Sequence, residues 1–402
     1  MNWNDVIFHA GNEELQRFIQ LSILAARLGI PLHFHVEGPR GTGKTTLIRA
    51  AKTCLPAIKR VKDCLYNCDP VAPHCPDHQQ QLELANQWCK MPFLEISHSA
   101  KIGTVVGSID LEKLTSTQSP ESAFLPGTLP RAHRGIVFID EINRLADTSP
   151  ALVDVLLDAM GTKPGRVQIE ETGLKSIEMP LTISVWAASN PDEEPGPLSD
   201  IRRQLADRFD FAVQIQRPGD VETVRAIMQA SIKQVATYAV TDPVAFDLAD
   251  VAIDERVDDF LSTLYLKFRL ESIRGVQAAR LGARLHALLL GKSLADFADL
   301  AVVLPAALRH RLESPLLKEV GDALSVAASE QRQKTTATKR QIKEGKNGPN
   351  LRYPALWHGL WQRFIQNRST YGSGQQTNVE TTEASYREDD NEKKKLDAPD
   401  RQ

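Results

Sequence analysis

The sequence lacks long apolar runs and any large excess of charge of one sign. No stretch approaches the ~20 uninterrupted apolar residues of a membrane-spanning helix, so we expect none. Basic residues number 48 and acidic residues 51, so a net charge of −3 gives no overall field to recruit nucleic acid or an anionic membrane. The first residues carry no basic segment of the kind that begins a secretory signal, so we expect a cytoplasmic protein.

One glycine-rich segment has the complete G-x-x-x-x-G-K-[ST] pattern of a phosphate-binding loop. The pattern predicts a strand over Leu32–Val36 before it and a helix over Leu47–Lys52 after it. In such a loop backbone N–H groups surround the β-phosphate, Lys44 neutralises phosphate oxygens and the Thr45 hydroxyl holds Mg²⁺. The predicted nucleotide-binding residues are Gly38, Pro39, Arg40, Gly41, Thr42, Gly43, Lys44, Thr45 and Thr46.

A second motif follows further along the chain, where an apolar strand from Gly135 ends in Asp140 and Glu141. Asp140, at the end of a buried strand, is placed to bind Mg²⁺ through water, and Glu141 to polarise the attacking water. The two motifs in this order and spacing predict a nucleotide-hydrolysis site. We therefore expect an ATPase that uses ATP with Mg²⁺.

Periodicity and composition predict an α/β domain over residues 1–219, a helical lid domain over 220–327 and a polar tail over 328–402. The α/β domain should contain a parallel sheet flanked by helices. The tail should be mostly disordered, apart from a short aromatic helix at 351–367 that docks on the body or on a partner. The predicted strands are 32–37, 92–96, 135–139 and 181–188; the predicted helices after residue 219 are 220–236, 254–268, 272–290, 293–302 and 304–325.

Residues 97–145 carry a longer pattern, which includes Val106–Lys113 and Phe124–Gly135 and runs into the second motif. Together with the nucleotide motifs, it resembles the AAA+ subunit I of magnesium chelatase and its MoxR-type relatives, in which an insertion, here 103–130, interrupts helix 2. The resemblance covers residues 5–320. It implies an AAA+ P-loop fold with a C-terminal all-α lid and a pre-sensor hairpin at 165–180.

The resemblance also implies roles for three further residues. Asn190 would be sensor 1, a carboxamide at a strand tip that contacts the γ-phosphate or the attacking water. Arg208 would be the arginine finger that reaches the ATP of a neighbouring subunit. Arg274 would be sensor 2, which contacts the γ-phosphate from the helical domain. The alternatives are Arg202 and Arg203 for the finger and Arg280 for sensor 2.

Members of this clade form rings, so the resemblance implies a homo-oligomeric ring, a hexamer, with ATP between subunits. In a chelatase, hydrolysis drives insertion of Mg²⁺ or Co²⁺ into a tetrapyrrole held by a large separate subunit. In a MoxR-type chaperone it drives maturation of a metalloenzyme with a von Willebrand A partner, a domain this chain lacks. A purely structural ring with slow hydrolysis is a further alternative.

The alternative from a different functional class is a nucleic-acid motor. Its best support is a basic stretch, but a solvated linker explains this stretch as well. The 165–180 hairpin argues against this alternative, because its acidic residues outnumber its basic ones. We therefore expect no nucleic-acid partner. The basic stretch comprises Arg332, Lys334, Lys339, Arg340 and Lys343.

Four of the five cysteines fall in the 60–90 insertion. Cys64, Cys68, Cys75 and His78 have the donor types of a tetrahedral Zn²⁺ site, although the spacing is not that of a standard finger. Cys89 in place of His78 would make a Cys₄ site suited to zinc or an iron–sulfur cluster. A redox-switch pair and ordinary reduced thiols are the alternatives.

Overall fold

Strands and helices alternate through the first half of the chain, as the sequence predicts. The computed structural model describes residues 3, 6–81, 83–109, 124–161, 163–169, 176–229 and 247–343, with side chains described as far as residue 329. In chain order the first elements are α1 Glu13–Arg27, β1 Phe34–Glu37, α2 Lys44–Ala51, β2 Ala57–Val61, β3 Asn86–Lys90, β4 Phe93–Ile96, α3 Ile102–Val106, β5 Gly107–Ile109, β6 Phe124–Pro126, α4 Thr128–Arg131, β7 Gly135–Asp140, α5 Ile142–Thr148, α6 Pro150–Ala159, β8 Gly165–Ile169, β9 Ile177–Leu181, β10 Ile183–Ser189, α7 Leu198–Ile201, α8 Arg203–Arg208 and β11 Phe211–Gln214.

The central sheet has five parallel strands among the described residues, in the order β11-β1-β10-β7-β4. Every residue of β10 is buried, and so are the first five of β7. Strands covered on both faces are expected to be apolar throughout, which is why runs such as Ile136–Ile139 predict this sheet. Since all strands run the same way, the sheet has one carboxyl edge and one amino edge.

β11 corresponds to none of the strands predicted from the sequence. It pairs with β1 in register, Phe34 opposite Phe211 and Val36 opposite Val213. Four residues are too few to show a periodic pattern, so only the pairing with a distant strand identifies it.

Three antiparallel hairpins extend from this body. β2 pairs with β3 on either side of the cysteine-containing loop. β5 pairs with β6 at the base of the predicted 103–130 insertion, whose residues 110–123 lie outside the described residues. β8 pairs with β9 over the predicted pre-sensor hairpin, whose tip at 170–175 is likewise outside them.

The second half is mainly helical. Its elements are α9 Val221–Gln229, β12 Ala252–Ile253, α10 Glu255–Lys267, α11 Arg274–Leu289, β13 Leu294–Ala295, α12 Phe297–Leu308 and α13 Ser314–Lys343. No described helix has the length and apolar character needed to cross a membrane.

Two boundaries in this half differ from the prediction. The sequence places a break near residue 303, whereas α12 continues through Pro305 to Leu308. Asp296 and Asp299 form a capping box at its start, and burial of Val303 and Leu304 stabilises the turn around the proline. α13 continues to Lys343, into a segment predicted to be disordered. The aromatic helix predicted at 351–367 lies outside the described residues.

Two arginines after α12 join the helical half to the sheet. Arg309 pairs with Glu14 at 3.0 Å and donates to the Ala212 carbonyl. Arg311, only 7% exposed, pairs with Asp207 at 2.9 Å and donates to the carbonyl of Phe209. These contacts fix the helices against β11 and so determine where Arg274, at the start of α11, lies.

Candidate functional site

The phosphate-binding loop connects β1 to α2, as its sequence predicts. Gly41 and Gly43 have φ values of 75° and 85°, a left-handed conformation that favours glycine. Gly43 is also the N-cap of α2, so the loop leads its backbone N–H groups into a helix N-terminus. Thr42 Oγ1 donates to the Pro39 carbonyl at 2.8 Å and tightens the turn. The arrangement is that of a loop able to surround an anion, followed by a helix.

Lys44 lies across this loop. Its ammonium donates to the carbonyls of Gly38 and Pro39, the latter at 2.9 Å. Burial lowers the pKa of Lys44, and the nearby carboxylates, Asp140 first, oppose that shift. The ammonium of Lys44, at the first residue of α2, is therefore held at the place where phosphate oxygens would be bound.

Thr45 and Asp140 meet at the carboxyl edge of the sheet. Thr45 is in the first turn of α2 and Asp140 ends β7, and Thr45 Oγ1 donates to Asp140 Oδ2 at 3.1 Å. They come from segments 95 residues apart. A hydroxyl and a carboxylate oxygen are ligands that Mg²⁺ accepts beside a nucleotide, so the donor set fits this ion.

Glu141 follows Asp140 in a strained backbone conformation. Its φ of 54° and ψ of 49° are left-handed, which costs about 1–3 kcal/mol for a residue other than glycine. The side chain is 39% exposed, and its Oε2 lies 3.4 Å from Arg144 and 3.7 Å from His98 Nδ1. The carboxylate is therefore partly exposed and lies between Arg144 and His98 at the end of β7.

A chain of charges joins Glu141 to the phosphate-binding loop. Arg144 also lies 3.8 Å from Glu193, and Glu193 lies 3.6 Å from Arg40 in the loop. His98, Arg144 and Glu193 were not predicted as site residues, because their separation along the chain gives no motif.

Asn190 follows β10, the strand between β1 and β7. It therefore lies between the phosphate-binding loop and Asp140 on the same edge. Asn143, only 3% exposed, donates to the carbonyls of Gly196 at 3.0 Å and Asn190 at 3.4 Å. Asn143 fixes the turn after β10, and only its place after the acidic motif marks it in the sequence.

Arg208 and Arg274 lie together at the amino edge. They line a cavity of about 290 Å³ with Asp207 and Asp210, and Arg274 is 3.7 Å from Asp207. Asp210 accepts a hydrogen bond from the backbone of His33, which precedes β1, whereas the phosphate-binding loop follows β1. The arginines are thus on the opposite edge from the loop of their own chain.

The surroundings of Arg208 and Arg274 differ from those of Arg203 and Arg280. Burial lowers the pKa of Arg208, and the nearby Arg274 lowers it further. Arg203 is exposed and pairs with Glu271 at 2.9 Å, and Arg280 pairs with Asp258 at 2.7 Å. An ion pair on the solvated surface is the ordinary state of an arginine. Arg208 is partly buried, and Arg274, although it lies 3.7 Å from Asp207, shares a cavity with the guanidinium of Arg208.

The cysteine loop brings together four of its five predicted ligands. The ligand atoms of Cys64, Cys68, Cys75 and His78 lie within 4.8 Å of one another. Cys89 is on β3 opposite Ile58 and is outside this group, so the Cys₄ alternative is wrong. The alternation of strand residues turns Cys89 to a partly exposed position on the hairpin instead.

Comparisons with known proteins agree with this geometry. The family model of magnesium chelatase, subunit ChlI, matches residues 10–204. A magnesium-chelatase 38 kDa subunit from Acidiphilium rubrum is 32% identical over 335 residues, which are 77% of this chain and 91% of the relative. The chloroplastic magnesium-chelatase subunit ChlI-2 of Arabidopsis thaliana is 28% identical, over 79% of this chain and 77% of its own length.

A solved structure from Cytophaga hutchinsonii supports the fold. It matches with a TM-score of 0.51 and 15% identity, covering 81% of this chain and 91% of its own. That likeness shows the fold alone. The predicted AAA+ architecture, a parallel sheet flanked by helices with further helices after it, is confirmed. With 32% identity to a relative that it covers almost completely, the chain belongs to the magnesium chelatase subunit ChlI family of AAA+ proteins.

Proposed function

We propose that the carboxyl edge of the sheet binds and hydrolyses ATP. The contact between Thr45 and Asp140 carries this proposal, because it joins the phosphate-binding loop to the acidic motif at one point. Bound Mg²⁺ would neutralise charge on the β- and γ-phosphates, held by Thr45 and, through water, Asp140. Lys44 exchanges its carbonyl partners for phosphate oxygens, and Glu141 orients and polarises the attacking water. Asn190, between them, contacts the γ-phosphate or that water.

We further propose that hydrolysis takes place between subunits of a homo-oligomeric ring. Arg208 and Arg274 share the amino edge, while the loop is on the carboxyl edge. A guanidinium on the far edge of one subunit reaches ATP only in a neighbour. The ring is a hexamer by resemblance to the family. Each ATP is then bound by one subunit, and Arg208 and Arg274 of the next subunit complete its site.

The work done by the ring is proposed to be that of a magnesium chelatase. Both relatives are named as subunits of that enzyme, which supports a role coupled to metal insertion into a tetrapyrrole on a separate large subunit. A von Willebrand A protein is the proposed adaptor. The charges of the β8–β9 hairpin argue against a nucleic-acid motor, since Arg166 is paired with Glu178 at 3.3 Å and Asp158 at 3.8 Å.

Glu141→Gln tests this function, because the amide keeps the shape of the side chain but cannot polarise water. We expect the variant to retain Mg-ATP binding and to lose about 10²–10⁴-fold in hydrolysis. The exposed Glu255→Gln, on the helical half, is the matched control. Hydrolysis by Glu141→Gln at the rate of the unchanged protein would overturn the assignment.

The same variant identifies the partner. Proteins retained by ATP-bound Glu141→Gln are compared with those retained by Lys44→Ala, which should not hold ATP. Recovery of a large tetrapyrrole-binding subunit with a von Willebrand A protein is the expected result. Recovery of a von Willebrand A protein alone would contradict the chelatase role and indicate a MoxR-type chaperone.

A further inference from the structure

The loop between β2 and β3 is long and has a buried polar centre. Among its described residues, 62–81 and 83–85, no helix or strand is present. Three of its thiols are nevertheless almost fully buried: Cys64 is 2% exposed, and Cys68 and Cys75 are 0% exposed. A loop of this length without secondary structure is uncommon unless something else orders it.

The four candidate ligand atoms have the separations of one small coordination sphere. Sγ of Cys64 and Sγ of Cys75 are 3.9 Å apart, and Sγ of Cys75 is 3.0 Å from Nδ1 of His78. Around tetrahedral Zn²⁺, bonds of ~2.3 Å to sulfur and ~2.0 Å to nitrogen place ligand atoms roughly 3.5–3.8 Å apart. We propose that Cys64, Cys68, Cys75 and His78 bind one zinc ion.

Backbone hydrogen bonds prepare one of these thiols for a metal. The N–H groups of His74 and Cys75 point at Sγ of Cys68, at 3.4 Å and 3.3 Å. Donors to sulfur stabilise the thiolate that a metal requires and orient it, as outer-shell partners of metal ligands do. Three thiolates and one imidazole are a donor set that zinc prefers, and four protein ligands leave no open position. The site is therefore structural.

The site is anchored to the body at the segment that precedes β7. Asn67 donates to the Arg131 carbonyl, and Arg60 donates to Asn67 at 2.7 Å. Asp69 pairs with Arg134 at 3.0 Å. Zinc would hold the loop in the shape that makes these contacts, so it fixes the β2–β3 hairpin to the amino edge of the sheet.

This zinc is distinct from the Mg²⁺ of Mg-ATP. The loop is tied to Arg131 and Arg134, before β7, whereas Asp140 ends β7. Five residue steps along a strand separate Gly135 from Asp140, about 17 Å. Loss of ATP binding should therefore leave the zinc in place, so the two proposals fail separately.

The metal content of the full-length chain tests the proposal. Protein purified under reducing conditions with zinc supplied should contain about one zinc per chain. Replacement of that zinc by Co²⁺ should give the intense visible bands of a tetrahedral site with sulfur-to-cobalt charge transfer. In His78→Cys the Co²⁺ should remain bound and the charge-transfer band should strengthen, because a fourth thiolate replaces the imidazole.

Matched variants separate a metal site from a general need for these cysteines. Cys75→Ser should lose the zinc, while Cys89→Ser, on the adjacent strand, and Lys44→Ala should keep about one per chain. Because Cys75→Ser also risks misfolding, the cobalt spectrum of the unchanged protein is the second measurement. Three results would overturn the proposal: unchanged protein with no bound zinc, an octahedral cobalt spectrum, or a Cys64–Cys75 disulfide in the reduced preparation.

Discussion

The two edges of the central sheet carry different halves of the proposed chemistry. At the carboxyl edge Lys44 and Thr45 begin the helix after β1, and Asp140 and Glu141 follow one another at the end of β7. At the amino edge Arg208 lies beside Arg274 and two aspartates. In the proposed ring, one chain therefore supplies the nucleotide-binding half of one site and the arginine half of another. A parallel sheet produces this separation, because its direction places loops after strands and loops before strands on opposite sides.

Loss of Lys44 should have the largest effect on Mg-ATP binding and hydrolysis at the carboxyl edge. In Lys44→Ala the phosphates lose charged hydrogen bonds worth roughly 1.5–3 kcal/mol each, so we expect Mg-ATP binding at least ~100-fold weaker and hydrolysis at background. Titration with a fluorescent ATP analogue measures the binding. Lys52→Ala, exposed just after α2, is the control. Unchanged affinity in Lys44→Ala would remove the assignment of the loop.

Loss of Arg208 should affect hydrolysis without affecting binding. An arginine that stabilises the transition state in trans contributes about 10³-fold or more to turnover, so Arg208→Ala should lose that factor and keep its affinity for Mg-ATP. Arg203→Ala, which removes only the exposed pair with Glu271, should behave like the unchanged protein. The reverse result, loss of turnover only in Arg203→Ala, would move the finger to Arg203.

Mild acid should lower the free energy of unfolding through His33, which lies at the amino edge of the sheet. Its Nδ1 accepts the N–H of Val185 at 3.0 Å, and burial lowers its pKa from 6.5 to about 3, with Asp210 opposing. The unfolded chain therefore binds a proton below pH 6.5 that the folded chain excludes. Stability from this group is complete above pH 6.5 and is lost as pH falls, by about 2 kcal/mol between pH 7 and pH 5.

The variant His33→Asn isolates that contribution, because the amide oxygen can still accept the Val185 N–H but does not titrate. Urea unfolding at the two pH values should show a loss of unfolding free energy that is about 2 kcal/mol smaller in His33→Asn. Equal losses in both proteins would show that His33 is not kept neutral.

The sequence predicts the carboxyl edge better than the amino edge. The strand, loop and helix around Lys44 and the position of Asp140 could be predicted, because each motif consists of residues close together in the chain, next to strands of uniform apolar character. β11 could not, because four residues become a strand only by pairing with β1. Arg311 pairs with Asp207 and fixes the helical half against the sheet. It belongs to no sequence motif, so its role can be recognised only from the fold.

The cysteine loop shows the same limit on a smaller scale. Donor types and spacing predict a metal site but leave His78 and Cys89 as alternative ligands. The β2–β3 pairing decides between them, since it places Cys89 opposite Ile58 and outside the cluster. The predicted break between α12 and α13 was wrong for a related reason. Burial of Val303 and Leu304 in the folded protein keeps α12 helical through Pro305, and the local sequence does not show that burial.

Mixing two inactive variants tests most directly the claim that catalysis needs both edges from different subunits. Lys44→Ala keeps its Arg208 and Arg208→Ala keeps its loop, so about a quarter of the interfaces in a random equal mixture combine an intact loop with an intact arginine. We predict that the mixture hydrolyses ATP at a rate well above the sum of the two separate proteins, up to that fraction of the unchanged rate. If native mass spectrometry shows mixed rings and the mixture is no more active than its parts, the account of hydrolysis between subunits is wrong.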